Sequence, residues 1–440
     1  MNIIPFHIKS RFVKDFLSTF SSNTILLILG AAGSMVTYRV LGPTGMGTYT
    51  VLTNFSLFFV SLVELGTRQS TMFHLGKNVF SLNDVVAANF WIWLFSSLIG
   101  VIIFYFILDI KSFSAEDILV FFSAMVIPAS ISNTFINGLM LGVGRFTKTA
   151  AFNVFNAIFS FLLIILLVYF FEFGVLGAIL GLLIPILTLT TRKFLFLSKQ
   201  FSMRLRIVFK FSIIRRILAH GVLYGVALFL MTNQKNIPVF VMTGTVSQHD
   251  IGIYSAGLSF SGLLYRVFNA LSPIIFVKSA KASDPDENSL KVQKLMRVMF
   301  VIILTSIVLL FFLIDIVLPL FYGKEFVDSS NITRILLIGV LFYNVFLVLN
   351  MDMAGRGKPW LAIYTLLPVS GINYFLNFYC IKDWGITGAA FSTSFSMLIA
   401  ALIFIYFYSN EIKMSISEII TPRKTDWDFV RSIFSKRKLA

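Results

Sequence analysis

The chain is 440 residues long, 57% hydrophobic and only 13% charged, with 50 Phe and a single cysteine, Cys380. That apolar share exceeds what a soluble domain of this length carries, and one cysteine excludes internal disulfides and any thiolate metal cluster. The four histidines include no ligand-spaced pair, so no metal or cofactor is expected, and the net charge of +16 has to be explained by its placement.

Apolar runs of about 20 to 27 residues recur along the chain, the length a helix rising ~1.5 Å per residue needs to cross ~30 Å of hydrocarbon. Twelve are counted: 18–41, 47–72, 86–108, 117–141, 149–170, 174–197, 213–243, 251–277, 295–320, 331–353, 359–380 and 386–408. The expected fold is therefore all-α, a polytopic membrane protein of twelve transmembrane helices. The first run follows a basic leader with Lys9, Arg11 and Lys14 and is too long for a signal-peptide core, so it is read as retained.

The basic residues follow the loops. With the N-terminus on the cytoplasmic side, 29 of the 36 Lys and Arg fall on that side, including eight from Arg192 to Arg216, and five fall outside. Short cytoplasmic loops are enriched in this way, so the charge encodes topology: no nucleic-acid partner is expected, and both termini are placed in the cytoplasm. Every outer loop is short, the longest running from about Pro319 to Ser330, which disfavours an integral-membrane glycosyltransferase or polymerase. An enzyme is not expected.

The chain also matches itself. Gly47-Thr-Tyr49 recurs as Gly252-Ile-Tyr254, the Gly144-Arg145 to Lys148 stretch as Gly355-Arg356-Gly-Lys358, and Gly174 to Ala178 as Gly385 to Ala389, at offsets of 205, 211 and 211. A repeat of six spans gives two parallel six-helix bundles, a transporter feature with the substrate site between the halves. The domains expected are 1–198 and 217–410, with a basic linker at 199–216 and a basic tail at 411–440 that lies on the inner membrane surface through Trp427, Val430, Ile433 and Phe434. The basic pairs Arg145/Lys148 and Arg356/Lys358 are read as anchors at tight inner turns or as contacts for an anionic substrate at the inner mouth.

Polar stripes mark the candidate site. On the eighth run Ser255, Ser259, Gly262, Arg266, Asn269 and Pro273 share one helix face by their spacing of 3 and 4. The matching positions on the second run are Thr50, Asn54, Leu57, Ser61, Glu64 and Arg68. The seventh run is interrupted by Asn233, Gln234, Lys235 and Asn236, with Pro238 expected to kink it, and the first contributes Asn23, Gly30, Ser34 and Thr37. These spans are expected to wall a wet cavity. A charge at mid-bilayer costs ~2.5 to 3.5 kcal/mol even on gentle scales, and Lys235 and Arg266 have no obvious acidic partner, so they are the candidate anion-binding residues; the plainer alternative is snorkelling or internal pairing.

The run Tyr38-Arg39-Val-Leu-Gly42-Pro-Thr-Gly45-Met-Gly47-Thr-Tyr49, with its echo Asp250-Ile-Gly252-Ile-Tyr254 and the closing Gly385-Ile-Thr-Gly388-Ala389, resembles the Wzx-type polysaccharide or oligosaccharide flippases of the superfamily that also holds the MATE multidrug exporters. The resemblance implies a V-shaped alternating-access fold in a bacterial inner membrane and an undecaprenyl-diphosphate-linked oligosaccharide as cargo. Membrane lipids and polysaccharide polymerase machinery would be its partners. It also implies cationic cavity residues, for which Arg39, Lys235 and Arg266 are the fitting positions, Arg39 having an alternative as an interfacial anchor. A cation-coupled multidrug exporter is the main alternative, with Glu64 as the clearest intramembrane carboxylate and Asp352 near the inner end of the tenth run. Transport would be driven by membrane potential, H+ or Na+.

Overall fold

The computed structural model describes residues 6–201, 203, 208–269, 272–280, 282, 284–423 and 426; of these, 6–23, 265–269, 273, 274 and 277 are described for the backbone only. Among the described residues every regular element is a helix. A chain inside hydrocarbon has to satisfy its backbone groups within the segment, which a helix does and an open strand does not. The protein is a multi-pass membrane protein: nine helices among the described residues are long and apolar enough to span a bilayer.

The chain divides into two compact units, Met1–Gly252 and Ile253–Ala440. In the first, α1 (Phe6–Val63) is 58 residues long, about 87 Å at the helical rise, far more than one crossing needs. It holds two limbs joined at Gly42, whose left-handed φ of 62° is followed by Pro43. The turn expected between the first two runs is thus a single-residue bend that glycine supplies without a Cβ penalty. Then come α2 (Thr67–Gly76), α3 (Leu82–Ile110), α4 (Asp117–Gly142), α5 (Phe146–Ile164) extended by a π-helical turn Ile165–Phe170, α6 (Gly174–Phe201), α7 (Phe211–Asn233), α8 (Ile237–Met242) and the start of α9 (Gln248–Asn269). Val126, Ala129 and Leu183 form an apolar core between α4 and α6. In the expected linker, Lys210 pairs with Asp84 at 2.5 Å.

The second unit continues α9 and adds α10 (Ser272–Ala280), α11 (Pro285–Tyr322), α12 (Ser329–Gly355), α13 (Trp360–Ile412) and α14 (Ile416–Ile420). Again one helix does two jobs: α13, 53 residues long, bends at Gly385 (φ 55°). Among the described residues each of the twelve apolar runs falls mainly in helix, the second and seventh with a break and the eighth shared by α9 and α10. The most buried helix is α12, and its Leu337 and Leu341 pack on Ile303 and Ile307 of α11. Large apolar side chains such as Ile102, Phe106, Phe170, Phe312 and Ile316 are exposed, as lipid-facing residues are.

Two buried polar clasps tie the second unit together. The fully buried carboxylate of Asp352 accepts from Ser279 Oγ (2.5 Å), Asn288 Nδ2 (3.5 Å), Ser289 Oγ (2.6 Å) and Tyr408 OH (2.8 Å), joining α10, α11, α12 and α13. Arg297 of α11 makes a two-pronged ion pair with Asp426, Nε to Oδ2 at 2.8 Å and Nη2 to Oδ1 at 2.7 Å. Its Nη1 also donates to the carbonyls of Glu418 and Ile419, so α14 and the beginning of the tail are held on α11. The expected membrane-surface residues Trp427, Val430, Ile433 and Phe434 lie outside the described residues.

Candidate functional site

The second and seventh apolar runs are not continuous helices. The second breaks at Glu64, Leu65 and Gly66, where Leu65 and Gly66 both take left-handed φ, and α2 begins at Thr67. The seventh breaks at Gln234, Lys235 and Asn236. Pro238 does not kink a running helix as expected; it stands in the first turn of α8, where a missing N–H costs nothing because that donor has no helical acceptor anyway. The polar stretch is therefore an unwound turn, and its residues are turn formers rather than misplaced helix residues.

The first break lies against α7. A Cβ on Gly66 would fall 2.1 Å from the carbonyl oxygen of Gly221, so only glycine lets the two backbones approach this closely. A polar link runs from the start of the second break to the α1 limb: Asn233 Nδ2 donates to Ser61 Oγ at 2.6 Å and to its own helix at Phe229 O, 2.9 Å. Aromatic contacts seal the same seam, with Phe58 edge-on to Phe229 (5.3 Å) and Phe55 stacked on Phe240 (5.1 Å).

Two acceptor oxygens in this seam are buried without a hydrogen bond, Glu64 Oε1 and Asn233 Oδ1. Unsatisfied buried acceptors cost ~1 to 3 kcal/mol each, so an oxygen left without a donor on each of the two broken runs calls for an explanation. Glu64 follows the Ser61 turn at the end of the α1 limb, and Arg68 lies past the break in the first turn of α2; both are half-buried, as is Asn54. Lys235 is exposed on the second break, next to half-buried Asn236. The structure thus links Ser61 to Asn233 across this seam, while Glu64 lies on the first break, Lys235 and Asn236 on the second, and Arg68 in the first turn of α2.

Other expected residues lie elsewhere. Arg39 is exposed just before the Gly42 bend, and the bend itself is ~28 Å of helix from Ser61 by the helical rise. The hydroxyls of Ser34 and Thr37 turn back to carbonyls of their own helix. In the second unit Ser255 is buried and Ser259 half-buried, while the side chains of Arg266 and Asn269 lie outside the described residues.

The matched basic pairs are not alike. Arg356 donates to Asp286 Oδ1 (2.8 Å) and Ser289 Oγ (3.1 Å), and Lys358 is ion-paired with Glu411, so both are engaged by their own unit. Arg145 lies over the Phe201 ring at 5.1 Å and Lys148 is exposed; neither has a carboxylate partner among the described residues. One cation escaped the sequence reading: Lys193, placed with the linker charges, is fully buried in α6. Its signal was present, since it falls inside the apolar run 174–197 with Asn137 and Asn153 on neighbouring runs.

The chain is similar to capsular polysaccharide biosynthesis protein CapF of Staphylococcus aureus, with 23% identity over 412 residues that cover 90% of this chain and 99% of the relative. Among solved structures it superposes on the lipid II flippase MurJ with a TM-score of 0.75 at 15% identity, covering 92% of this chain and 89% of that one. It also superposes on a multidrug resistance MATE family transporter of the MOP superfamily with a TM-score of 0.70 at 12% identity, covering 90% and 98%. At those identities the structural matches establish the fold. The profile of the polysaccharide biosynthesis protein family matches residues 36–331, two thirds of the sequence, and the chain belongs to that family.

Proposed function

We propose that the protein is a flippase that carries an undecaprenyl-diphosphate-linked oligosaccharide from the cytoplasmic to the outer leaflet of a bacterial inner membrane by alternating access, for capsule, O-antigen or exopolysaccharide synthesis. The observation that carries this reading is the pair of helix breaks in the first unit, which set Lys235 and hydrogen-bonding side chains such as Asn233, Asn236 and Ser61 within otherwise apolar runs. Cations suit a diphosphate, and amides and hydroxyls suit sugars. The family and the capsular relative support a role in surface polysaccharide assembly, and the fold is one that MurJ also has. On this reading the chain moves its cargo without changing it chemically, its substrate is lipid-linked, and both termini are cytoplasmic.

Direction needs a driving force. About two negative charges moving outward down ~100 mV release ~4 to 5 kcal/mol at ~2.3 kcal/mol per charge, so the membrane potential suffices without a chemical co-substrate. A cation-coupled drug exporter is the second reading, and the carboxylate of Glu64 in the seam is what favours it. The two separate in one host: in a strain lacking the gene, restored surface polysaccharide with unchanged drug resistance supports the flippase, and restored resistance alone supports the exporter.

A further inference from the structure

Lys193 is 0% exposed, and its ammonium donates to two asparagine oxygens, Asn137 Oδ1 at 2.5 Å on α4 and Asn153 Oδ1 at 2.9 Å on α5. Neither partner carries charge, and no carboxylate pairs with Lys193 among the described residues. The three residues sit at one level, roughly 8 to 12 Å of helix from the nearer ends of α4, α5 and α6. Burying an ammonium there without a counter-charge is costly, and a methionine would fill the same space without that cost.

What the ammonium does achieve is orientation. It has three donors and no acceptor, so it fixes both amides with oxygens inward and Nδ2 groups pointing away from it. The orientation is passed on, because Asn137 Nδ2 donates to Asn133 Oδ1 at 3.4 Å. All three asparagines are part-exposed although the lysine is not. Nor does Asn153 face lipid: the exposed apolar side of α5 carries Phe155, Ile158 and Leu162, and Asn153 projects from the opposite side, followed by Asn156 and Ser160.

We propose that Lys193 is a positioning residue that turns Asn133, Asn137 and Asn153 into a face of amide donors, and that this face binds the anionic oxygens of the cargo's head group, either its diphosphate or an acidic sugar. The inference rests on the flippase reading and adds a second recognition patch to it, on α4 to α6 rather than on the α1–α8 seam.

The deciding variant is Asn153→Asp in the full-length protein. It supplies Lys193 with a carboxylate at the same position, so a merely structural role would be kept or strengthened. The donor face would lose one amide and its positive field. In proteoliposomes the expected result is an unchanged or higher melting temperature with the half-saturating substrate concentration raised about tenfold or more, as loss of a charge-assisted contact gives. Wild-type flipping by N153D overturns the inference. Inorganic pyrophosphate and glucuronate, tested separately as competitors and as ligands in thermal shift of the detergent-solubilised chain, identify the source: the one that acts on the wild type and is weakened in N153D names the group recognised. Action by neither, or equal action on both proteins, also overturns it. A wild type that shows the ligand shift but does not flip counts against the flippase reading alone.

Discussion

Gly47 and Gly252 make the same contact from two sides. A Cβ on Gly47 would lie 1.7 Å from the carbonyl oxygen of Gln248, and one on Gly252 would lie 1.8 Å from that of Pro43. Gln248 follows Pro43, and Gly252 follows Gly47, by the same 205 residues. The repeated glycines thus form one pseudo-twofold crossing of α1 and α9, fastened by Thr48 Oγ1 donating to Gln248 Oε1 at 2.7 Å.

Gly47→Ala and Gly252→Ala are each expected to destabilise the protein by at least ~1 to 3 kcal/mol, the cost of overpacking against atoms that cannot step aside. Because both residues serve one crossing, the double variant should cost less than the sum of the two. Thermal unfolding of the purified protein in detergent measures all three.

The Arg297–Asp426 pair, 5% and 1% exposed, gives a second prediction. Asp426→Asn leaves a buried guanidinium without its counter-charge and should cost ~3 to 5 kcal/mol, whereas replacing both by apolar residues of similar volume should cost much less. Limited proteolysis after residue 412 reads the release of α14 directly.

In the seam, Asn233→Leu removes a buried oxygen that has no donor. Melting temperature should change little, because deleting an unsatisfied acceptor worth ~1 to 3 kcal/mol offsets the loss of the bonds from Nδ2 to Ser61 and Phe229. Surface polysaccharide should fall sharply in the complemented strain. A stably folded variant with full polysaccharide would mean that the seam is only structural.

Much of this architecture is legible in the sequence. Hydropathy length located where the chain is helical, since the bilayer imposes one scale on every span, but not that Gly42 and Gly385 each join two runs in one bent helix. The self-match found Gly47 and Gly252, but not that they touch: spacing shows which residues are equivalent, not which backbones meet. Four polar residues and Pro238 marked the stretch at Gln234 to Asn236, but as a kinked helix rather than as the unwound turn it is. The break at Glu64 to Gly66 went unmarked, because one carboxylate and one glycine also fit a continuous polar stripe. Lys193 was hidden by its neighbours, for a lysine near the end of an apolar run reads as a loop anchor until packing shows it facing Asn137 and Asn153. Asp352 looked like a candidate coupling carboxylate, and only its four donors reveal a clasp.

The most direct measurement follows a labelled undecaprenyl-diphosphate-linked oligosaccharide across proteoliposomes containing the full-length protein, scored by access of a membrane-impermeant glycosidase. The wild type should speed transfer well above protein-free vesicles, and Lys235→Ala should fall about tenfold or more, the ~1.4 kcal/mol or greater that loss of a charged contact removes, while still folding. Transfer by the wild type no faster than in empty vesicles, or undiminished in the Lys235 variant, would contradict a cationic seam that carries a lipid-linked sugar.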